Sequence, residues 1–186
     1  MRIIRPLARF DRMEVAVCRF FNQQAQRRPV RHSFALVSRL GDGLFWYALM
    51  GALMLFEGLQ GSVVALQMGT TALVGVVVYK VLKGTLVRER PFISHGGIRC
   101  AAAPLDRYSF PSGHTLQAVL FSTVAMAWFP ALAVPLLGFV MLVALSRVVL
   151  GLHYPSDVLV GALIGYGLAR LSLWLYPATP AIQLLN

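Results

Sequence analysis

The sequence predicts an all-α fold: a multi-pass transmembrane helical bundle of about five spanning helices, with an N-terminal interfacial amphipathic helix. Three observations carry this reading. First, the 186 residues are 58% hydrophobic and 13% charged, with a mean hydropathy of +0.68, against roughly 45–50% apolar and about 25% charged in soluble domains. One domain of this length cannot bury so much apolar surface in its own core, so lipid must cover the excess. Second, five apolar stretches approach the about 20 helical residues that cross a ~30 Å hydrocarbon core. Third, the net charge is +10 and 15 of the 17 basic residues are arginine. On a membrane chain that excess points to anionic headgroups or phosphates and not to nucleic acid.

Taken in order, residues 1–40 alternate nine arginines with apolar residues, and Val15, Val17, Cys18, Phe20 and Phe21 fall mostly on one side of a helical wheel. That pattern predicts a basic helix lying at the membrane interface. No uninterrupted apolar core of secretory-signal length occurs there, so nothing is expected to be cleaved. The spans are expected near 43–60, 62–82, 115–130, 131–150 and 157–176. Gly41, Asp42 and Gly43 mark a turn before the first, and Glu57, Gly58 and Gly61 mark one after it. The third and fourth are separated by a tight reversal at FPALAVP. A polar loop, 84–114, with Arg88, Glu89, Arg90 and several Gly and Pro, separates the second span from the third. The expected partition is a basic segment 1–40, a transmembrane domain 41–178 and a tail 179–186. Cys18 and Cys100 have no metal-ligand spacing and read as ordinary thiols. Gly161, Gly165 and Gly167 in the last span suit close helix contact, within the chain or between chains, and the oligomeric state stays open.

Ionisable residues are costly in or beside a membrane, so their grouping is informative. Lys83 and Arg90 are seven residues apart, nearly two helical turns, and share a face if the helix persists. Arginine can offer a planar fork to phosphoryl oxygens and lysine a compact charge. Pro111-Ser112-Gly113-His114 opens the third span: Ser112 is a natural N-cap, Gly113 admits close backbone approach, and the helix N-terminus attracts anions. His114, in the first turn, can protonate a leaving oxygen. Ser146-Arg147 stands in an apolar helix, followed by His153 and Asp157. Pro155 should break the fourth helix, and Ser156 or Asp157 should cap the fifth. Asp157 can then fix the tautomer of His153 and leave its other ring nitrogen free as a nucleophile. With five spans, all three groups and the N-terminal segment share one side of the membrane.

KxxxxxxRP at Lys83–Pro91, PSGH at Pro111–His114 and SRxxxxxHxxxD at Ser146–Asp157 together resemble the three-part signature of the type-2 phosphatidic acid phosphatase superfamily. The resemblance implies a metal-independent membrane phosphatase acting on a lipid phosphate or diphosphate through a phosphohistidine. It implies His153 as nucleophile, Asp157 as its orienting partner and His114 as general acid, then base. Lys83, Arg90, Ser112, the Gly113 amide and Arg147 would hold the phosphoryl oxygens. No cofactor is expected. Only Glu89, Asp106 and Asp157 lie near the site in sequence, which disfavours a two-metal mechanism. Phosphatidic acid, phosphatidylglycerophosphate and isoprenyl diphosphates such as undecaprenyl diphosphate all suit an opening from the bilayer. The same residues would serve a lipid phosphotransferase, and a non-catalytic lipid-phosphate binder would need the cations but not the histidine and aspartate. A vanadium-dependent haloperoxidase, which shares the signature, is disfavoured by the apolar spans. On sidedness two expectations conflict. Nine arginines in residues 1–43 and six basic residues in 80–114 place the site in the cytoplasm by the positive-inside rule, whereas the resemblance implies the outer face of the bacterial inner membrane.

Overall fold

A computed structural model describes residues 5–104 and 106–177, with side chains from Asp11 onward; the expected tail 179–186 lies outside the described residues. Among the described residues the regular elements are helices, with one isolated antiparallel bridge between Glu89 and Tyr108 in the polar loop. α1 (Arg5–Gln24) and α2 (Arg28–Arg39) precede a π-helical turn, Leu40–Leu44, that leads into α3 (Phe45–Phe56). α4 (Gly58–Thr85) is the longest helix; α5 (Pro91–Ser94) is a single turn within the polar loop. α6 (Gly113–Trp128), a short 3-10 turn at Pro130–Leu132, α7 (Ala133–Val149) and α8 (Pro155–Leu175) complete the bundle.

Among the described residues three stretches are long and apolar enough to cross a membrane: Gly58–Thr85, Pro130–Val149 and Pro155–Leu175. The first and third expected spans are shorter. α3 has 12 residues, about 18 Å at 1.5 Å per residue, and α6 has 16. The first is cut short at both ends by backbone that only glycine adopts readily: Gly43 takes φ 131° and Gly58 φ 54°. Leu66, Leu73, Val77, Val134, Met141, Leu159 and Leu163 are exposed on the outer faces of α4, α7 and α8, where lipid would cover them.

Trp46, Val64, Met68, Leu116, Leu120, Val124, Leu136 and Val143 form the buried core between α3, α4, α6 and α7. α6 and α8 pack most extensively, and the expected glycine contact proves to be within the chain. A Cβ on Gly161 would lie 2.5 Å from the Ser112 carbonyl oxygen and one on Gly165 2.2 Å from that of Leu116, whereas Gly167 meets nothing within 4 Å. Far from the polar loop, Gln67 ties three helices together: its Oε1 accepts from Trp128 Nε1 at 2.8 Å and its Nε2 donates to Ser172 Oγ at 3.1 Å.

The N-terminal segment is two helices where the wheel predicts one. On α1 the buried residues are Glu14, Cys18 and Asn22, four apart on one face, with Val15 and Phe21 packed beside Cys18, while Met13, Val17 and Phe20 are exposed. Asn22 anchors the buried face by donating to the carbonyls of Arg99 (2.9 Å) and Val149 (3.0 Å).

Candidate active site

Lys83 sits in the last turn of α4, but the helix does not persist to Arg90; it ends at a Leu86 cap. Arg90 precedes Pro91 and is extended, with φ −72° and ψ 152°. The proline ring disfavours α geometry in the residue before it. The two cations nevertheless meet, because Asp106 folds back between them. Its Oδ2 lies 2.8 Å from Lys83 Nζ, its Oδ1 2.8 Å from Arg90 Nη2, and its backbone oxygen 2.8 Å from Arg90 Nε. Burial raises the Asp106 pKa, but the hydrogen bonds and charges of Lys83 and Arg90 more than offset this and hold the carboxyl below its usual range.

The turn between α7 and α8 places His153. α7 ends at Val149, ahead of Gly151 with φ 74°, and not at Pro155, which occupies the first turn of α8; the cap is Tyr154, two residues before Ser156 and three before Asp157. Asp157 instead reaches back from the first turn, its Oδ2 accepting from the Tyr154 amide at 2.8 Å. The carbonyl of Asp157 also accepts from the Ser112 amide at 3.0 Å, which docks the PSGH segment onto α8.

A cavity of about 340 Å³ unites these elements; Lys83, Arg90, Asp106, Gly113, His114, Arg147 and His153 line its polar end. Ser112 and Asp157 are fully buried and absent from its lining. The Ser112 hydroxyl pairs with that of Thr115 at 3.0 Å. The other end of the cavity is apolar, with Trp46, Met50, Leu73, Val76 and Phe121.

Arg147 is 2% exposed. It donates through Nη1 to the Ser38 hydroxyl on α2, its Nε has no hydrogen-bond partner, and it makes no salt bridge among the described residues. Burying an unpaired cation is costly, and Arg147 lines the cavity. Arg90 Nη1 lies 3.2 Å from His153 Nε2. An arginine N–H can only donate, so Nε2 accepts and the proton of the neutral ring sits on Nδ1. Burial, reinforced by the charges of Arg147, Arg90 and Lys83, holds the His153 pKa well below its usual value, so the ring is neutral at physiological pH. Nδ1 lies 3.8 Å from Asp157 Oδ2, outside hydrogen-bond reach, and the Ser109 backbone offers the ring a hydrogen bond. His114 Nε2 faces Asp42 Oδ1 at 3.3 Å.

Sequence reasoning missed several of these partners: Asp42 read as a turn marker, Asp106 as a carboxylate unsuited to metal, and Arg88 as a loop residue. Arg88 in fact holds Asp157, Nη1 to Oδ1 at 2.7 Å, and Glu14 of α1, Nη2 to Oε2 at 2.7 Å. Scarcity was the usable signal. The chain has seven acidic residues, and Glu14, Asp42, Glu89, Asp106 and Asp157 all pair with cations or histidines at this end of the bundle. Cys18 is buried against the same region, where burial, with Glu14 and Asp157 nearby, pushes its thiol up to about 12, and Cys100 is exposed; neither is in a disulfide. Among the described residues no group of three His, Cys, Asp or Glu is placed to hold a metal ion.

Known proteins resemble the chain in both sequence and fold. The decaprenylphosphoryl-5-phosphoribose phosphatase of Mycolicibacterium smegmatis is 40% identical over 100 residues, 52% of this chain and 51% of the relative, so the chain spans about half that protein's length. Undecaprenyl-diphosphatase BcrC of Bacillus subtilis is 33% identical over 136 residues, 70% of each chain. The crystal structure of LpxE from Aquifex aeolicus matches with a TM-score of 0.74 and 27% identity over 86% of this chain and 93% of that one. The sequence profile of the PAP2 superfamily matches residues 64–180; that is more than half of the chain and contains all three polar groups, and the chain belongs to this superfamily.

Proposed function

We propose that the protein is an integral-membrane, metal-independent phosphatase that hydrolyses a lipid phosphomonoester or diphosphate through a phosphohistidine at His153. The observation that carries this is the buried Arg147, without a carboxylate partner, lining the same cavity as Lys83, Arg90 and the His153 imidazole, whose Nε2 lies beside Arg90. Three cations and the start of α6 would neutralise the equatorial oxygens of a transferring phosphoryl group, which is most of what this chemistry asks of a protein. The named relatives act on lipid-linked phosphates and diphosphates, which supports a lipid substrate.

In the first step Nε2 of His153 attacks phosphorus while the bond to the lipid oxygen breaks, and His114 passes its Nε2 proton to that oxygen. Asp42, beside His114, stabilises the imidazolium needed for this. Asp157 faces the charge that develops on the phosphorylated ring. In the second step neutral His114 takes a proton from water, the water oxygen bonds to phosphorus, and the electron pair of the P–N bond returns to Nε2. Ser112 supports the loop from behind, and Gly113 borders the phosphoryl position.

The apolar end of the cavity runs along the seam of α3 and α4 to Tyr47 and Leu73, which are 70% and 66% exposed. A lipid chain would enter there from the bilayer and leave its phosphate among the cations. An isoprenyl chain or an acyl chain fits this lining equally, and phosphatidic acid, phosphatidylglycerophosphate and an isoprenyl diphosphate are the substrates to compare. α1 touches Arg88 and Ser156, so the N-terminal segment lies at the site end of the bundle. Its arginines place that end in the cytoplasm by the charge rule; an N-terminal reporter found outside the cytoplasm on functional protein would refute this.

The test is release of inorganic phosphate from those three lipids by purified protein in detergent with excess chelator. Chelator-resistant release that is lost in His153→Ala is expected. No release by folded protein, or release undiminished by His153→Ala, overturns the reading. Transfer to a lipid acceptor would consume substrate without releasing phosphate, so following both separates a phosphotransferase.

A further inference from the structure

The catalytic reading leaves one buried ionisable group unexplained. Glu14, on α1, is 5% exposed, and burying a carboxylate at a membrane surface is costly unless both oxygens are engaged. Both are. Oε1 accepts from the Ser156 backbone amide at 2.7 Å and Oε2 accepts from Arg88 Nη2 at 2.7 Å. The other arm of Arg88 donates from Nη1 to Asp157 Oδ1 and to the Ser156 hydroxyl, each at 2.7 Å, while its guanidinium lies 3.9 Å over the Tyr154 ring. Glu14 is thus joined through one arginine to the carboxylate that faces His153 Nδ1 at 3.8 Å.

We propose that Glu14 is a positioning residue: by fixing Arg88 and the first turn of α8 it sets the direction and effective charge of the Asp157 carboxylate, and through it the His153 imidazole. The inference rests on the proposed roles of His153 and Asp157. Two carboxylates share one guanidinium, so Arg88 does not neutralise Asp157 completely, and Asp157 keeps acceptor strength toward Nδ1. Remove the charge of Glu14 and Arg88 turns wholly to Asp157, drawing it further from the ring. The buried face of α1 meets the same loop at a second place, since Cys18 Sγ lies 3.9 Å from the His153 carbonyl oxygen. α1 therefore acts as a strap across the back of the nucleophile, with Met13, Val17 and Phe20 on its outer, lipid-accessible face.

The test is a double-mutant cycle of Glu14→Gln with Asp157→Asn, read both by phosphate release and by the ¹⁵N signals of the histidine rings in detergent. His153→Ala assigns the His153 signals among the four histidines of the chain. Glu14→Gln is expected to lower kcat about tenfold with KM little changed, the low end of what removing the support of a functional histidine costs. It should also shift the His153 ring signals, and Glu14→Asp should restore part of both. In the Asp157→Asn background Glu14→Gln should do nothing further, because its effect passes through that carboxylate. Equal losses in both backgrounds, or ring signals and kcat that ignore Glu14→Gln, overturn the proposal in protein whose thermal unfolding is unchanged. If the wild type releases no phosphate, the phosphatase reading fails by itself, and the ring signals still decide whether Glu14 governs His153.

Discussion

Asp106 makes the site legible as a competition. Its carboxylate bridges Lys83 and Arg90 with two contacts of 2.8 Å, the position that two phosphoryl oxygens would take. A bound phosphate must therefore displace it, and Asp106→Asn should tighten the binding of the product, inorganic phosphate. Charge-assisted hydrogen bonds contribute about 1.5–3 kcal/mol each when dry, but the Asp106 side chain is 37% exposed and solvent screening reduces this. A net competition of about 1–2 kcal/mol corresponds to roughly 5–30-fold in the inhibition constant of phosphate. The assay is inhibition of lipid-product formation by added phosphate, paired with thermal unfolding across a phosphate titration. The variant should unfold earlier without phosphate, since buried Lys83 and Arg90 lose their counter-ion, and should gain more from phosphate than the wild type. The pH dependence has a definite sign. The Asp106 pKa is lowered on folding, so its contribution is present above the unfolded value near 4 and is lost as pH falls through the folded value; Asp106→Asn lacks that acid-side loss. An inhibition constant unchanged or weakened in Asp106→Asn would refute the competition.

Three further outcomes follow from the geometry. Arg147→Met should lower kcat/KM by about 100- to 1000-fold while leaving thermal stability unchanged or raised, because the buried cation has no carboxylate partner to lose; activity within tenfold of wild type contradicts its role. Gly165→Ala should destabilise the α6–α8 contact by about 1–3 kcal/mol, its Cβ falling 2.2 Å from the Leu116 carbonyl, whereas Gly167→Ala should stay within about 0.5 kcal/mol; thermal unfolding of the pair decides. The His153 pKa is lowered by burial and by Arg147, Arg90 and Lys83, so the neutral nucleophile survives as pH falls through about 6.5. Once substrate ionisation is allowed for, kcat/KM should show no acid limb from His153 at that pH, and a limb there that disappears on restoring charge balance near the ring would contradict the assignment.

The helices and the three polar groups were legible because each rests on local chemistry: apolar runs for α4, α7 and α8, and Pro, Ser and Gly at the start of α6. Lys83 and Arg90 illustrate where local reasoning ends. Their spacing matched a helix face, yet Pro91 pulled Arg90 out of the helix, and convergence depends on Asp106, 16 residues beyond Arg90. No period or motif encodes such a contact. α1 illustrates the second limit. Its wheel contains an apolar stripe, which the pattern assigns to the membrane interface; Val17 and Phe20 do face outward, but Val15, Cys18 and Phe21 pack inward beside the buried Glu14 and Asn22, which find their partners only in the protein. Glu14 and Asp157, the two buried acidic residues among those described, are tied together by Arg88, a contact no local pattern announces.

Charge balance explains why the partners missed in the sequence are acidic and where they sit. Lys83, Arg90 and Arg147 bring three positive charges to a cavity with low-dielectric walls, and a rigid cage of that charge would bind phosphate too tightly to release it. Asp106 and Asp42 answer this from non-helical segments at the rim, with side chains 37% and 46% exposed. Asp106 stands in the polar loop against Lys83 and Arg90, and Asp42 in the turn between α2 and α3 against His114, so on the proposed mechanism both bear on the phosphate and leaving-group positions. Asp157, by contrast, is fully buried on α8 and clamped by Arg88, which suits the fixed direction that the proposed mechanism asks of it. The division predicts opposite consequences for loss of charge: at the rim, slower product release and tighter phosphate; behind the nucleophile, slower chemistry with phosphate affinity unchanged. Comparing Asp106→Asn with Asp157→Asn by pre-steady-state formation of the dephosphorylated lipid separates the two, since only the first should give a burst followed by a slow steady state. A burst in Asp157→Asn, or none in Asp106→Asn with tightened phosphate, would show that the two carboxylates do not divide the work in this way.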